Sequence, residues 1–327
     1  MRFRSEPDLR DARRTWRGVH VLAAARAAGL LDALDEEVGR TAASIAERAD
    51  ADPRVTRVCL DVLAASGLLR WDPSGYRLAP GARATLAGFD EMAHEIDAIR
   101  ALPGALRTGA PYVRTVGGVD LEDADDRRRF YAGLRRRALA SVPEVTRVVR
   151  RAWESQGIRD RAPRLLDLGG GHGLFAATFA AAFPGAEVSL FDQPLAAEHA
   201  RALSGDGFRL LTGDWYTDDL GGPYDVVFVS NVLHGEDASD AARLLARVRG
   251  AVRDGGAVVV RDRFVHDDHT GPDWATDFAI TLVLYTDKGH TRTVAEARAL
   301  LRAAGFGDGE HHAAASDEYA YLVARTA

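Results

Sequence analysis

The chain has 327 residues, 46% of them hydrophobic and 28% charged, and a formal net charge of −6. This is ordinary globular usage, long enough for two cores; it argues against extended disorder and, because the basic residues are scattered, against a nucleic-acid partner. The only cysteine, Cys59, has no intrachain partner, the amino-terminal residues are charged, and no apolar run reaches membrane-spanning length, which together predict a cytoplasmic protein.

From Val19 to Leu31 the apolar residues recur at helical spacing, predicting an amphipathic helix that Gly29 helps to end. Thr41 can cap a second helix running through Ile45 and Ala46. Asp52 and Pro53 supply a cap and a first-turn proline for a third, which carries Val55, Val58, Leu60, Val62 and Leu63 and which Gly67 can end. Leu68 to Trp71 and Tyr76 to Leu78 flank Asp72-Pro73-Ser74-Gly75, a turn between short strands. Three helices and a hairpin predict a winged-helix-like domain over residues 1–100. Its third helix offers no basic face, since Arg54 and Arg57 are balanced by Asp50, Asp52 and Asp61, so the surface suits protein better than DNA. The first helix is apolar on more than one side, which predicts a homodimer.

Further helices, from about Asp90 to Leu106 and from Asp123 to Ser155, lead through residues 101–160 to Pro163, where strands begin. Strands at Arg164 to Leu168, Glu187 to Phe191, Phe208 to Leu211, Asp225 to Ser230 and Ala257 to Arg261 alternate with helices ending near Phe183, Leu203 and Val252. A helix from Val294 to Ala304 and two late strands, the last near Tyr319 to Val323, complete seven strands. The pattern is an α/β doubly wound sheet over residues 161–327.

Arg164-Leu165-Leu166-Asp167-Leu168-Gly169-Gly170-Gly171-His172-Gly173 runs from a buried strand into a glycine turn and a helix, a place where backbone approaches a ligand. Gly169, Gly171 and Gly173 read G-x-G-x-G with Asp167 two residues ahead. The dinucleotide fingerprint G-x-G-x-x-G is absent, and the turn suits a ligand without pyrophosphate. Asp192 ends the second strand about twenty residues on, where an acid accepts hydrogen bonds from a ribose diol.

This segment resembles motif I and the following acidic loop of S-adenosylmethionine-dependent methyltransferases. The leading helices resemble the dimerisation domain of the family that contains plant caffeic acid and flavonoid O-methyltransferases, acetylserotonin methyltransferase and many bacterial tailoring enzymes. The resemblance implies a Rossmann-like seven-stranded methyltransferase domain with S-adenosylmethionine held by Asp167, Gly169, Gly171, Gly173, Asp192 and Gln193. Gly213-Asp214-Trp215 is similar to the family's glycine-acid-apolar element beside the adenine, and Ser230-Asn231-Val232-Leu233-His234 to its fourth-strand end. In this family that histidine is the catalytic base. Asp262, at the end of the fifth strand, matches a glutamate that orients it.

His234 also has a rationale of its own: it follows a buried strand at the carboxyl edge of the sheet, and a near-neutral imidazole can take the proton of a phenol as the oxygen attacks the methyl group. Trp274, Asp277, Phe278, Thr281 and Tyr285, with the helices of residues 101–160, are expected to line a pocket for a small-molecule acceptor. The sequence departs from the family at Gly235-Glu236, where aspartate and tryptophan are usual, and at His290-Thr291-Arg292-Thr293, where a glutamate commonly stands before the Arg-Thr pair. An alternative therefore stays open, in which His234, His290 and Asp262 or Glu236 hold a metal for C-methylation of an α-keto acid. A second alternative is a non-enzymatic winged-helix ligand sensor.

Overall fold

The computed structural model describes residues 5–92, 94–112, 123–158, 160–313 and 318–326. The chain divides into two compact units, Met1–Arg100 and Ala101–Ala327.

In the first unit, α1 (Glu6–Ala27), α2 (Ala42–Arg48) and α3 (Pro53–Ala65) precede a hairpin of β1 (Leu69–Asp72) and β2 (Gly75–Leu78), then α4 (Ala82–Met92); α5 (His94–Thr108) begins in this unit and ends in the next. Thr41 and Asp52 cap α2 and α3 by accepting from Ser44 N (3.2 Å) and Val55 N (2.8 Å). Ala25, Leu30, Leu31, Ile45, Leu60, Leu63, Leu69 and Leu78 share one core. The first helix differs from the sequence expectation at both ends. It starts at Glu6, where Ser5 caps it and Arg10–Glu6 and Arg14–Asp11 pairs line a segment with no apolar stripe to read. It stops before Gly29, whose φ of +71° turns the chain so that Leu30 and Leu31 enter the core.

The second unit opens with α6 (Ala124–Ala138), a 3₁₀ turn at Leu139–Ser141 and α7 (Val142–Glu154). There follow β3 (Arg164–Leu168), α8 (Leu174–Ala182), β4 (Glu187–Asp192), α9 (Pro194–Ser204), β5 (Arg209–Thr212), β6 (Tyr224–Ser230), a 3₁₀ turn at Leu233–Gly235, α10 (Ala238–Ala251) and β7 (Val252–Asp262). The chain ends with β8 (Phe264–Val265), α11 (Asp273–Tyr285), β9 (Arg292–Thr293), α12 (Val294–Ala303), β10 (Glu310–Ala313) and β11 (Ala320–Arg325). The seven-stranded sheet runs β10-β11-β7-β6-β3-β4-β5, parallel from β7 to β5, with β11 and β10 antiparallel at one edge. Side chains alternate across it: Val227, Val229, Val258 and Val260 pack against α10 and α12, whereas Val226, Phe228, Ala257 and Val259 pack against α7 and α8. The seven strands fall where the sequence places them. Helix α11 does not announce itself, because Phe278, Ile280, Leu282 and Leu284 spread its apolar residues around the axis and leave no single stripe.

At the amino edge of the sheet, far from the strand ends where ligands bind, Asp225 is wholly buried and accepts from Arg161 Nη1 (2.7 Å), Arg164 N (2.7 Å) and Arg253 Nε. Burial pushes this carboxyl up, but its partners hold it below the ordinary value. A depressed folded-state pKa means that the stabilisation is present above the unfolded value of about 4 and is lost as pH falls further. Asp225→Ala leaves two guanidinium groups uncompensated and is expected to cost on the order of 3–5 kcal/mol, read from denaturant unfolding at neutral pH, with the gap to wild type closing in acid.

Candidate active site

The strand order reverses between β3 and β6, so the turns after these two strands leave the sheet beside each other. Gly169, with φ +70°, has no room for a side chain, since a Cβ there would lie 2.5 Å from Val232 Cγ2. Gly171, with φ +44°, presents its backbone under Tyr131, whose ring carbon is 3.2 Å from the same virtual position. Asp192 braces the turn from β4, accepting from Gly171 N (2.8 Å) and Gln193 N (2.7 Å). Burial raises its pKa to about 6 against these two bonds. Trp215 stands near Gly169, 3.9 Å from where a Cβ on that glycine would lie, and Asp214 caps its own turn by accepting from Tyr216 N (2.8 Å). Gln193 and Asp214 are exposed, and Ser230 is buried with its hydroxyl accepting from Arg261 Nη1 (3.2 Å). Asn231 takes the left-handed conformation, φ +57°, that bends the chain sharply after β6.

Asp167 departs from the expectation. It is 1% exposed and lies beneath the turn, with Oδ2 accepting from Ala176 N (3.1 Å) in the first turn of α8 and Oδ1 lacking a partner. It supports the loop from inside. Burial raises its pKa to about 7.

His234 sits in the 3₁₀ turn after β6, its side chain 14% exposed. Its Nδ1 is 2.6 Å from Asp262 Oδ1, and its backbone N–H donates to Oδ2 (3.2 Å). Arg263 N also donates to Oδ1 (2.8 Å). Burial pushes Asp262 up, but the His234 imidazole and these N–H groups hold it below the ordinary carboxylate value. A carboxylate that only accepts assigns the proton to Nδ1 and leaves the Nε2 lone pair for a substrate. The shorter aspartate therefore reaches the imidazole without the extra methylene. Phe278 meets the imidazole edge to face with centroids 4.9 Å apart, which brings α11 to His234. Trp274, Thr281 and Tyr285 lie on the same side of α11 as Phe278 at helical spacing; Asp277 is exposed.

Residues 100–307 match the O-methyltransferase domain and residues 17–88 the O-methyltransferase dimerisation domain. The chain is 34% identical to acetylserotonin O-methyltransferase of Mus musculus, covering 81% of this chain and 74% of that one. It is 31% identical to the tetracenomycin polyketide synthesis 8-O-methyl transferase of Streptomyces glaucescens, covering 81% and 80%. The chain belongs to the O-methyltransferase family. Its fold is that of human N-acetylserotonin methyltransferase, solved in complex with S-adenosylmethionine, at a TM-score of 0.73, 21% identity and 99% and 98% coverage.

Nothing in these matches lends weight to C-methylation or to a non-enzymatic sensor, and the O-methyltransferase site corrects the metal alternative on its donors. His290 is exposed with Nδ1 3.2 Å from Lys288 O, while its backbone N–H, not its ring, reaches His234 O (2.9 Å). Among the described residues no three His, Cys, Asp or Glu side chains are grouped to hold a metal. Sequence reasoning missed Tyr131, which lies over Gly171 and stacks on His199 (5.3 Å), and Arg292, which bonds to the His234 turn. Tyr131 gave no signal, being one aromatic in an arginine-rich helix; the Arg292-Thr293 pair was visible but drew attention only to His290. His172 was passed over as well: its Nδ1 accepts from Leu174 N (3.1 Å), and burial lowers its pKa to about 4, so it caps α8 as a neutral ring.

The raised pKa of Asp167 has a sign that can be measured. Its folded value lies above the unfolded one, so the native state holds the proton more tightly and stability is lost as pH rises from about 4 to about 7. Asp167→Asn, neutral and of the same shape, is expected to gain stability over wild type, the gain at pH 8 exceeding that at pH 5 by on the order of 2–3 kcal/mol in thermal or denaturant unfolding.

Proposed function

We propose that this O-methyltransferase methylates a phenolic or enolic hydroxyl of a small secondary metabolite, with His234 Nε2 as general base and Asp262 orienting it. The observation that carries the reading is the contact between the two turns. The His234 turn and the glycine turn meet at Val232 and Gly169, so a base held by a buried carboxylate stands beside a backbone cradle.

Bound S-adenosylmethionine supplies an electrophilic methyl group. Gly169, Gly171 and Gly173 keep the cradle open. Asp192 keeps lone pairs beyond its two backbone bonds for a ribose diol, Asp214 and Trp215 flank the adenine, and Gln193, Ser230 and Asn231 complete the edge. Asp167 acts on the cofactor only by holding the loop. His234 takes the hydroxyl proton on Nε2 while Asp262 keeps the imidazole in that tautomer and stabilises the imidazolium. Trp274, Asp277, Phe278, Thr281 and Tyr285, with helices from residues 101–160, orient the acceptor and exclude water, so that residues 161–327 hold the cofactor and residues 1–100 pair subunits. The working form is a cytoplasmic homodimer. Exposed Leu9, Trp16 and Val19 on α1 support it, with Trp16 60% exposed, as does the dimerisation-domain match.

Calorimetry is expected to show binding of S-adenosylmethionine and none of nicotinamide dinucleotides, with Asp192→Ala weakening binding by about 1.5–3 kcal/mol. His234→Ala is expected to lower kcat by about 10²–10⁴-fold at unchanged cofactor affinity. Dinucleotide binding in place of S-adenosylmethionine, or full turnover without His234, would refute the assignment. Sedimentation at micromolar concentration is expected to return twice the chain mass, and a fully active monomer would contradict the homodimer.

A further inference from the structure

The His234 turn is gripped from a second side. Arg292, on β9 and 4% exposed, donates Nη1 to Leu233 O and Nη2 to Glu236 O, the two carbonyls that bracket His234 and Gly235. Between them His234 O accepts from His290 N (2.9 Å). Three of the four carbonyls from Leu233 to Glu236 are thus bonded by one short segment of chain. Its hydrogen bonds go to carbonyls; burial pulls its pKa down, outweighing the negative charges of Asp262, Glu296, Glu236 and Asp237, which favour the cation. Taking a cation out of water to bond neutral carbonyls is costly, and a packed apolar side chain would serve stability at least as well. The cost falls on the one turn that carries the base.

We propose that Arg292 is a positioning residue for methyl transfer: its planar fork fixes the 3₁₀ turn so that His234 Nε2 points at the acceptor hydroxyl. The inference rests on the reading of His234 as base. Asp262 sets the ring through Nδ1 and the backbone through the His234 N–H, but it does not touch the flanking carbonyls, of which Leu233 O has the Glu236 N–H of its own turn (3.2 Å). Arg292 holds these two carbonyls, three residues apart, at once. Lysine offers a point charge in place of a fork and cannot span the two carbonyls in the same plane. A base displaced by about 1 Å loses on the order of 10²-fold in rate, so a small tilt suffices to matter.

The test is a kinetic cycle with Arg292→Met and His234→Ala, alone and together, on any hydroxyl acceptor that the wild type turns over, with cofactor affinity measured by calorimetry. Arg292→Met is expected to lower kcat by about 10–100-fold while acceptor KM, cofactor Kd and the melting temperature stay near wild type. In the His234→Ala background it is expected to cause no further loss, because the residue acts through the base. Arg292→Lys is expected to restore little of the rate, and it takes the place of Arg292→Met in the cycle should the methionine variant fail to fold. Losses that multiply in the double variant, or a single variant within threefold of the wild-type kcat, overturn the proposal while leaving His234 as base. Full turnover by His234→Ala overturns both.

Discussion

Parallel pairing of β3 with β6, Leu168 opposite Val229, is the constraint from which the site follows. Because the two strands are neighbours and their connections run to opposite faces, a crevice opens at their carboxyl ends, and both chains must turn at once in the same small space. Only a residue without a side chain fits where Val232 meets the first turn, so Gly169 is demanded by the second turn as much as by any ligand. The glycine turn and the His234 turn are therefore one packing problem. A one-residue slip of β3 against β6 would separate them and turn Leu166 and Leu168 to the opposite face of the sheet.

Four buried aspartates show how partners decide the charge state. Asp167 and Asp192 accept only one and two backbone bonds respectively, and burial raises both. Asp225 and Asp262 are as deeply buried, but guanidinium groups at one and an imidazole with two backbone N–H groups at the other keep them ionised. The division follows partners: a cation beside the carboxylate outweighs burial, whereas one or two backbone N–H groups do not.

How much of this was legible in sequence depended on how local each constraint is. The glycine turn, Asp192 and the caps at Thr41 and Asp52 are recorded in short spacings, and the strands in runs of β-branched residues, so they could be read directly. The amino-terminal half of α1 is stabilised by a cap and by charge pairs, which leave no apolar period, and α11 is apolar on several sides, so periodicity failed at both. Strands β8 and β9 have two residues each and exist only as a pair. His290 was weighed as a ligand for its imidazole, yet its contribution is a backbone N–H, which any residue but proline supplies. Asp167 was read as a ligand-facing acid because its spacing from the glycines is right; spacing gives the distance along the chain and not the side of the loop.

The β8–β9 pair also explains how a late segment reaches the base. Phe264 lies two residues beyond Asp262 and pairs in register with Arg292, so the same short ladder that extends β7 delivers the guanidinium to the far side of the His234 turn. Thr293 then closes a capping box with Glu296 and starts α12, whose Ala297 and Leu301 are buried in the core against α10. The carboxylate end of the grip is fixed by the central sheet and the guanidinium end by a capped, core-packed helix. Neither depends on a mobile loop. On the proposed reading of His234 as base, an imidazole held between two such elements is aligned before any acceptor arrives, so the alignment is supplied by folding and need not be drawn from the binding of the acceptor.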